Sequence, residues 1–233
     1  MRSKQSGFTL VEIAIVLVII GLLLGGVLKG QELINSAKVK NFATDFRNIP
    51  LYIYGYQDKY RSLPGDDSNV IGHLGATATQ ATTGVGTCGT PPCTGNGAID
   101  GYWDTATVTD ESMLFWQHVR LAGLASGSTV VANNNSYWPS NADGGRIGIE
   151  SGKANYIQNT DGVTFLQGAY IVCSKGILGK FALQLDTTMD DGNPQTGSMR
   201  VVPDAGFTRG SQALTTAAIQ AAPDTPYTVC LGL

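Results

Sequence analysis

The feature that most constrains this chain is an apolar run near its start, FTLVEIAIVLVIIGLLLGGVL, which extends from Phe8 to Leu28. The only polar side chains among these 21 residues are Thr9 and Glu12. At about 1.5 Å per residue, a helix of this length spans the roughly 30 Å hydrocarbon core of a membrane. We therefore predict a transmembrane helix over residues 8–28.

Two basic residues, Arg2 and Lys4, precede the apolar run. The positive-inside rule then leaves the N-terminus in the cytoplasm and sends the residues after Leu28 outward. A cleaved secretory signal is the alternative, with the two basic residues as its n-region. No A-x-A site follows the run, and the run is longer than an ordinary signal h-region. A single-pass membrane protein is therefore expected.

The stretch KQSGFTLVEIAIVLVIIG resembles the N-terminal signature of type IV pilins and of type II secretion pseudopilins. The match covers roughly residues 1–30 and keeps the order of a short basic leader, Gly, Phe, Thr, Leu, an acidic residue and an apolar helix. The resemblance implies that residues 1–7 are a leader, which prepilin peptidase removes after Gly7 before it methylates Phe8. It also implies that Glu12 is the assembly residue.

The position of Glu12 has a physical explanation under this resemblance. An ionised carboxylate in lipid costs about 3 kcal/mol or more and is normally retained only when it has a partner. Cleavage after Gly7 creates such a partner, the new amine of Phe8. We hypothesise that Glu12 of one subunit pairs with Phe8 of the next as the helices bundle into a filament. The alternative is that Glu12 lies in the headgroup region and reaches water there.

Apolar residues continue at helical spacing beyond the membrane segment. The spacing keeps its register across Pro50, which predicts a kink rather than a helix end. In SLPGDD, Pro64 and Gly65 favour a turn and predict the end of the helix. We expect an amphipathic continuation over residues 29–62, with an apolar stripe formed by Val39, Phe42, Phe46, Ile49, Ile53, Tyr56 and Tyr60.

Residues 63–233 are predicted to form a globular α+β head. ESMLFWQHVRLAGL has the pattern of an amphipathic helix with Asp110 as its N-cap. ILGKFALQLDTTM fits helix or strand, and we favour the helix. Residues 69–100 are expected to form a long surface loop. Asp66 and Asp67, which precede this loop, are expected to be turn or capping residues. The β-rich segments are STVVA, GRIGIE, FLQGAYIVC, SMRVVP and PYTVCLG.

The resemblance supplies a plan for these elements, in which a long N-terminal helix packs on an antiparallel sheet. Such a sheet would cover the apolar stripe, which otherwise faces water. The expected fold class is therefore α+β, with a long helix whose first half spans the membrane and whose second half packs on an antiparallel β-sheet head.

Charge is distributed unevenly, with +1 over residues 1–28, +3 over 29–61 and −7 over 62–233. An acidic head argues against nucleic acid as a partner. The two histidines, His73 and His118, have no acidic or cysteine neighbours at ligand spacing, and no G-x-S pattern of a nucleophile elbow occurs. The sequence therefore predicts no catalytic residues and no enzyme.

Four cysteines in a chain delivered to the periplasm are most simply two disulfides, with three possible connectivities. We favour Cys88–Cys93, which are close in sequence, and Cys173–Cys230, which both lie in β-rich segments. The second pair also resembles the C-terminal disulfide of many pilins. A zinc site is the alternative, although C-x4-C with two distant single cysteines is poor ligand spacing.

One polar cluster stands out in LDTTMDDGNPQTG: Asp186, Asp190, Asp191 and Asn193, beside a turn at Gly192. If a helix ends here, the carboxylates meet the negative end of its dipole and need a cation or a capping group. Calcium accepts such oxygen ligands, although the spacing is not that of an EF-hand. Calcium also occurs in pseudopilins and some pilins. The alternative is a solvated Asp-Gly turn with no cofactor.

We therefore expect a structural subunit of a type IV pilus or a type II secretion pseudopilus. Its expected partners are copies of itself and other pilin subunits, prepilin peptidase, the pilus or secretion assembly machinery, and membrane lipid. It would lie in the bacterial inner membrane before assembly, and in the periplasm or at the cell surface as a filament. A head of about 170 residues favours a minor pilin or a pseudopilin.

Two other functions stay open at this point. One is an adhesive tip pilin, with Trp103 and Trp138 as part of a contact surface, although tryptophans more often lie in a core. The other is a membrane-anchored enzyme, which would need a catalytic constellation that the sequence does not display.

Overall fold

A computed structural model describes residues 10–82, 94–152, 156–159 and 161–233. The described residues divide between two compact units, Met1–Lys38 and Val39–Leu233. In chain order the elements are α1 (Leu10–Tyr60), α2 (Val70–Leu74), α3 (Glu111–Leu121), β1 (Ile147–Ser151), β2 (Tyr170–Leu178), α4 (Gly179–Met189), β3 (Met199–Pro203), α5 (Thr216–Ala221) and β4 (Pro226–Gly232).

The first unit, as far as it is described, consists of the N-terminal part of α1. Every side chain from Leu10 to Leu28 is exposed, including leucines and isoleucines that water would solvate poorly. Among the described residues, α1 is the one helix that is long and apolar enough to cross a membrane. The exposed surface of this segment is the kind that lipid or other apolar helices cover.

The second unit begins where α1 starts to be buried. The predicted apolar stripe is buried from Val39 to Tyr56, and Tyr60 is half-buried. The helix continues through Pro50 and ends at Tyr60, where Arg61 adopts a left-handed φ of 57°. The division between the units therefore falls inside the predicted continuation over residues 29–62, because burial starts at Val39.

The buried face of this part of α1 shares a core with a four-stranded antiparallel sheet. The strands of the sheet are in the order β1-β2-β4-β3. Strand β4 lies between β2 and β3, although it follows both of them along the chain. Cys173 and Cys230 face each other in the β2–β4 register and form a disulfide. This bond excludes the zinc alternative, because a disulfide-bonded sulfur is not a thiolate ligand.

The main core lies between the buried face of α1, helix α4 and one face of the sheet. The Phe42 and Phe181 rings, from α1 and α4, have centroids 6.2 Å apart. The segment that fitted helix or strand is the helix α4, as favoured. The α+β class, with a long helix on an antiparallel sheet, is confirmed.

A buried ion pair fastens the segment between β3 and α5 to the sheet. Arg209 donates from Nε to Glu150 Oε1 at 3.2 Å and from its terminal nitrogen to Glu150 Oε2. The Glu150 side chain is fully buried, whereas that of Arg209 is 27% exposed. The guanidinium also stacks over the Tyr102 ring, 3.4 Å from its centroid. This one arginine therefore joins three separate parts of the chain.

Several predicted elements differ from the structure. STVVA forms no strand, since Val130 is exposed and no neighbouring strand pairs with it among the described residues. In FLQGAYIVC the strand begins only at Tyr170, and the predicted surface loop contains the helix α2. Helix α3 is buried on every side from Glu111 to Arg120, so it is not amphipathic. Cys88 and Cys93 lie outside the described residues.

Candidate functional site

The first candidate site is the N-terminal segment that would mediate membrane insertion and assembly. Gly7 and Phe8 lie outside the described residues, whereas Glu12 lies in the first turn of α1. For four glycines on this helix, no described atom beyond their chain neighbours and the adjacent helix backbone lies within 4 Å of where a Cβ would be: Gly21, Gly25, Gly26 and Gly30. Their spacing gives two small-xxx-small pairs, which allow another helix to approach closely.

The second candidate site is the acidic turn at the C-terminal end of α4. Asp186 lies in the last turn of this helix, Asp190 is its C-cap residue and Asp191 follows. One carboxylate oxygen from each of the three lies within 4.8 Å of the others. The i, i+4 spacing of a helix brings the first two carboxylates together, and the tight turn brings in the third.

Asp186 differs from the other two carboxylates in its surroundings. It is fully buried, and neither of its oxygens has a hydrogen bond of normal geometry to any residue that the structure describes. Burial, with Asp191 and Asp190 nearby, raises the pKa of Asp186 to about 7, and the Gly192 amide and the Arg200 guanidinium offset this rise only in part. A buried carboxylate in this state is costly unless a proton or a cation neutralises it.

Asn193, the fourth residue of the predicted cluster, is occupied within the turn. Its backbone N–H donates to Asp191 Oδ1 at 2.9 Å, and its side-chain oxygen accepts from the Gln195 N–H at 3.3 Å. Asn193 therefore shapes the loop that holds Asp191. Its role as a cation ligand stays a prediction.

A third group of acidic residues, not singled out as a site by the sequence, surrounds the start of α3. The Asp66 carboxylate accepts backbone N–H groups from Gly95, Asn96 and Gly97. Glu111 Oε2 accepts the Asp100 N–H at 2.7 Å, while Glu111 Oε1 is buried and has no hydrogen bond of normal geometry to any described residue. Asp66 is thus a turn residue, as expected. The group fixes the loop after residue 93 against α3.

Burial raises the pKa of Glu111 to about 9, and the charges of Asp66 and Asp100 contribute to the rise. The folded state therefore holds a proton that the unfolded state releases above its ordinary pKa of about 4.3. Because the pKa of Glu111 is raised in the folded state, the contribution of this residue to the free energy of unfolding is largest at low pH and falls as the pH rises toward 9.

We expect Glu111→Gln to remove this pH dependence and to stabilise the protein by about 1–3 kcal/mol at pH 8, because an amide cannot ionise. Urea unfolding of the full chain in detergent, followed by circular dichroism at pH 6 and pH 8, measures the effect. Asp58→Asn, which changes an exposed carboxylate in α1, serves as the control and should alter neither value. A parallel pH profile for Glu111→Gln and the parent would contradict the assignment.

Both histidines are held in structural contacts. His118 Nδ1 accepts the Gly65 N–H, and His118 Nε2 lies 2.9 Å from the Thr79 carbonyl oxygen. Burial lowers the pKa of His118, so the neutral ring with a proton on Nε2 fits these two contacts. His73 Nδ1 lies 2.7 Å from Asp67 Oδ2, which also accepts the Tyr56 hydroxyl. Among the residues that the structure describes, the ring nitrogens of both histidines contact backbone groups or Asp67, not a serine or cysteine as in a hydrolase triad.

The two tryptophans considered for a contact surface belong to the interior. Trp103 is 2% exposed and Trp138 is 4% exposed. The Arg146 guanidinium covers the Trp138 ring at 4.4 Å from its centroid. The suggestion that these rings form an adhesive surface is therefore wrong, because the large apolar rings fill the core instead.

Residues 2–28 match the family model of the prokaryotic N-terminal methylation motif, which is the type IV pilin and pseudopilin signature. The chain therefore carries the motif of a pilin-like precursor that is processed at its N-terminus. No curated protein and no solved structure matches it. The motif and the exposed apolar helix are consistent with a precursor that is anchored in a membrane before assembly.

Proposed function

We propose that this chain is a structural subunit of a type IV pilus or a type II secretion pseudopilus. The observation that carries the proposal is the methylation motif over residues 2–28, which coincides with the fully exposed apolar part of α1. Prepilin peptidase cuts after Gly7 and methylates Phe8. The N-terminus faces the cytoplasm before assembly, and the head faces the periplasm and later the cell surface.

Assembly proceeds through the N-terminal helix. The exposed leucines, isoleucines and valines between Leu10 and Leu28 exchange lipid for the helices of other subunits. Glu12 of one subunit pairs with the Phe8 amine of the next, so that the carboxylate keeps an ionic partner inside the filament. The partners are copies of this chain, other pilin subunits, the assembly machinery and membrane lipid.

The proposed subunit has no chemistry of its own. In the described residues, the ring nitrogens of His118 are both used in structural contacts and His73 is paired with Asp67. The size of the head, with long connecting segments around a small sheet, favours a minor pilin or a pseudopilin. The acidic character of the head fits a role without nucleic acid.

Mass spectrometry of the mature protein from cells that contain a prepilin peptidase tests the proposal. The expected N-terminal residue is Phe8 carrying one added methyl group. Gly7→Val, which places a β-branched side chain at the cleaved bond, is expected to abolish processing. Ser3→Val makes the same kind of change away from that bond and should leave processing intact.

A different result would overturn the proposal directly. If the mature chain keeps residues 1–7 and still enters filaments, neither cleavage nor the new amine is needed for assembly. If Gly7→Val is processed like the parent protein, the cleaved bond lies elsewhere.

A further inference from the structure

We propose that Asn96 is a deamidation site, at which the loop before α3 promotes the conversion of its own asparagine into aspartate and isoaspartate. This inference concerns the head alone and does not depend on filament assembly. Asn96 precedes Gly97, and the 233-residue sequence contains no other Asn-Gly dipeptide. Both residues are exposed, so water reaches them. The reaction changes the chain itself and turns over no substrate.

The backbone nitrogen of Gly97 is the nucleophile of this reaction, and its proton already points at a base. The Gly97 N–H donates to Asp66 Oδ2 at 2.7 Å. This distance is within the range that a general base needs to the proton that it abstracts. The N–H lies in the peptide plane, whereas the attacking electron pair is perpendicular to that plane. Asp66 therefore does not cover the face of the nitrogen that attacks Asn96 Cγ.

The side-chain amide of Asn96 is held at both of its polar atoms. Asn96 Oδ1 accepts the Ala98 N–H at 2.8 Å, which forms an Asx turn. Negative charge develops on this oxygen during the attack, and the N–H stabilises it as an oxyanion-hole donor does. Asn96 Nδ2 donates to Asp100 Oδ2 at 2.9 Å. The two contacts fix the orientation of Cγ, and reacting groups that are held in this way react faster than freely rotating ones.

Gly97 suits the ring closure because it has no side chain to shield its nitrogen. Its φ is 83°, a left-handed conformation that glycine adopts at little cost. Apart from the chain neighbours, no described atom lies within 4 Å of where a Cβ of Gly97 would be. The approach of the nitrogen to Asn96 is therefore not obstructed by the part of the chain that the structure describes.

The reaction balances with water as the added reactant. A bond forms between Gly97 N and Asn96 Cγ while Asp66 takes the Gly97 proton. The Cγ–Nδ2 bond then breaks, and water relays the proton from Asp66 to Nδ2, which leaves as ammonia. The product of this step is a succinimide. Water then adds to either imide carbonyl and opens the ring to aspartate or isoaspartate.

The product places a new negative charge beside acidic neighbours. A carboxylate at position 96 no longer donates to Asp100, and like charges at this separation repel. Isoaspartate also adds one methylene to the backbone, which displaces the N–H groups that Asp66 accepts. Asp100 is bound to the start of α3 through Glu111 and Ser112. Deamidation therefore loosens the segment 94–100 from α3, and the change is irreversible.

Incubation of the full-length chain in detergent at pH 8, followed by peptide mass spectrometry, tests the proposal. We expect Asn96 to convert about tenfold faster or more in the folded chain than in the same chain unfolded in guanidinium chloride. Unfolding removes both the base and the Ala98 donor, and each contributes at least this much in enzymes. Asn135, which is exposed and precedes Ser136, is the internal control and should keep its amide over the same period.

Asp66→Asn removes the base and should slow the conversion in the folded chain by about tenfold or more. Asp58→Asn makes the same change at an exposed carboxylate in α1 and should convert like the parent protein. Circular dichroism establishes whether Asp66→Asn is folded; if it is not, the comparison of folded and unfolded parent chain decides the question. The proposal is overturned if folding does not accelerate the conversion of Asn96, or if folded Asp66→Asn converts at the parent rate.

Discussion

Glu12→Ala is expected to leave the chain inserted in the membrane and cleaved after Gly7, yet to reduce its incorporation into filaments by about 100-fold or more. Removal of a carboxylate makes the apolar helix easier to insert, so anchoring does not suffer. In the filament, however, the Phe8 amine of the neighbouring subunit loses its ionic partner within apolar surroundings. A charge in that environment costs about 2.5–3.5 kcal/mol on insertion scales, which corresponds to a factor of about 100 or more.

Quantitative immunoblotting of sheared filaments and of the membrane fraction measures both parts of this prediction. Glu32→Ala is the matched control, because Glu32 lies on the same helix outside the membrane segment, where it forms an exposed pair with Lys29. The control should assemble like the parent protein. Equal incorporation of Glu12→Ala and the parent would show that Glu12 does not act through the amine of Phe8.

Arg209→Met is expected to destabilise the head by about 3–5 kcal/mol. The substitution keeps an unbranched side chain of similar length over the Tyr102 ring but leaves the fully buried Glu150 without its cation. Breaking a buried ion pair on one side leaves an uncompensated charge in the interior, which accounts for a loss of this size. Glu150 also accepts the backbone N–H of Trp103 at 2.7 Å, so the disturbance reaches the backbone that holds this buried residue in place.

Urea unfolding of the full chain in detergent, followed by tryptophan fluorescence, measures this loss. Lys180→Met is the control, because its partner Asp224 is exposed and pairs of that kind contribute about 1 kcal/mol or less. The double variant Arg209→Met with Glu150→Gln should recover most of the stability, since the buried charge is then absent. Similar losses for Arg209→Met and Lys180→Met would show that the Glu150–Arg209 pair does not stabilise the head.

The parts of the fold that follow from local spacing could be predicted from the sequence. The stripe from Val39 to Tyr56 repeats at helical spacing, and the same periodicity favoured a helix for α4. Three predicted β-rich segments coincide closely with β1, β3 and β4. Each of these predictions depends on a pattern of residues within a single helix or strand.

The parts that depend on distant partners could not be predicted in this way. Glu150 and Arg209 are 59 residues apart, and no spacing rule relates them. Helix α3 was expected to keep a polar face in water, yet Gln117 and Arg120 are buried with backbone partners from the segments around it. STVVA has the composition of a strand, but composition alone supplies no neighbouring strand to pair with.

The acidic turn after α4 has one feature that local spacing predicts and one that depends on distant parts of the chain. The closeness of Asp186, Asp190 and Asp191 follows from helical spacing and a tight turn in the sequence. The burial of Asp186 depends on how α4 packs against the sheet and was not visible in its neighbours along the chain. The role of these residues, and of Asn193, as calcium ligands stays a prediction.

The order of the strands has a consequence for when the sheet of the head can form. Because β4 separates β2 from β3, these earlier strands cannot complete their hydrogen bonding before β4, which is synthesised after them, joins the sheet. The disulfide between Cys173 and Cys230 also cannot form before β4 lies beside β2. Until then the edges of β2 and β3 that β4 later covers can pair with other chains, so the head is most prone to aggregate before its last seven-residue strand is in place.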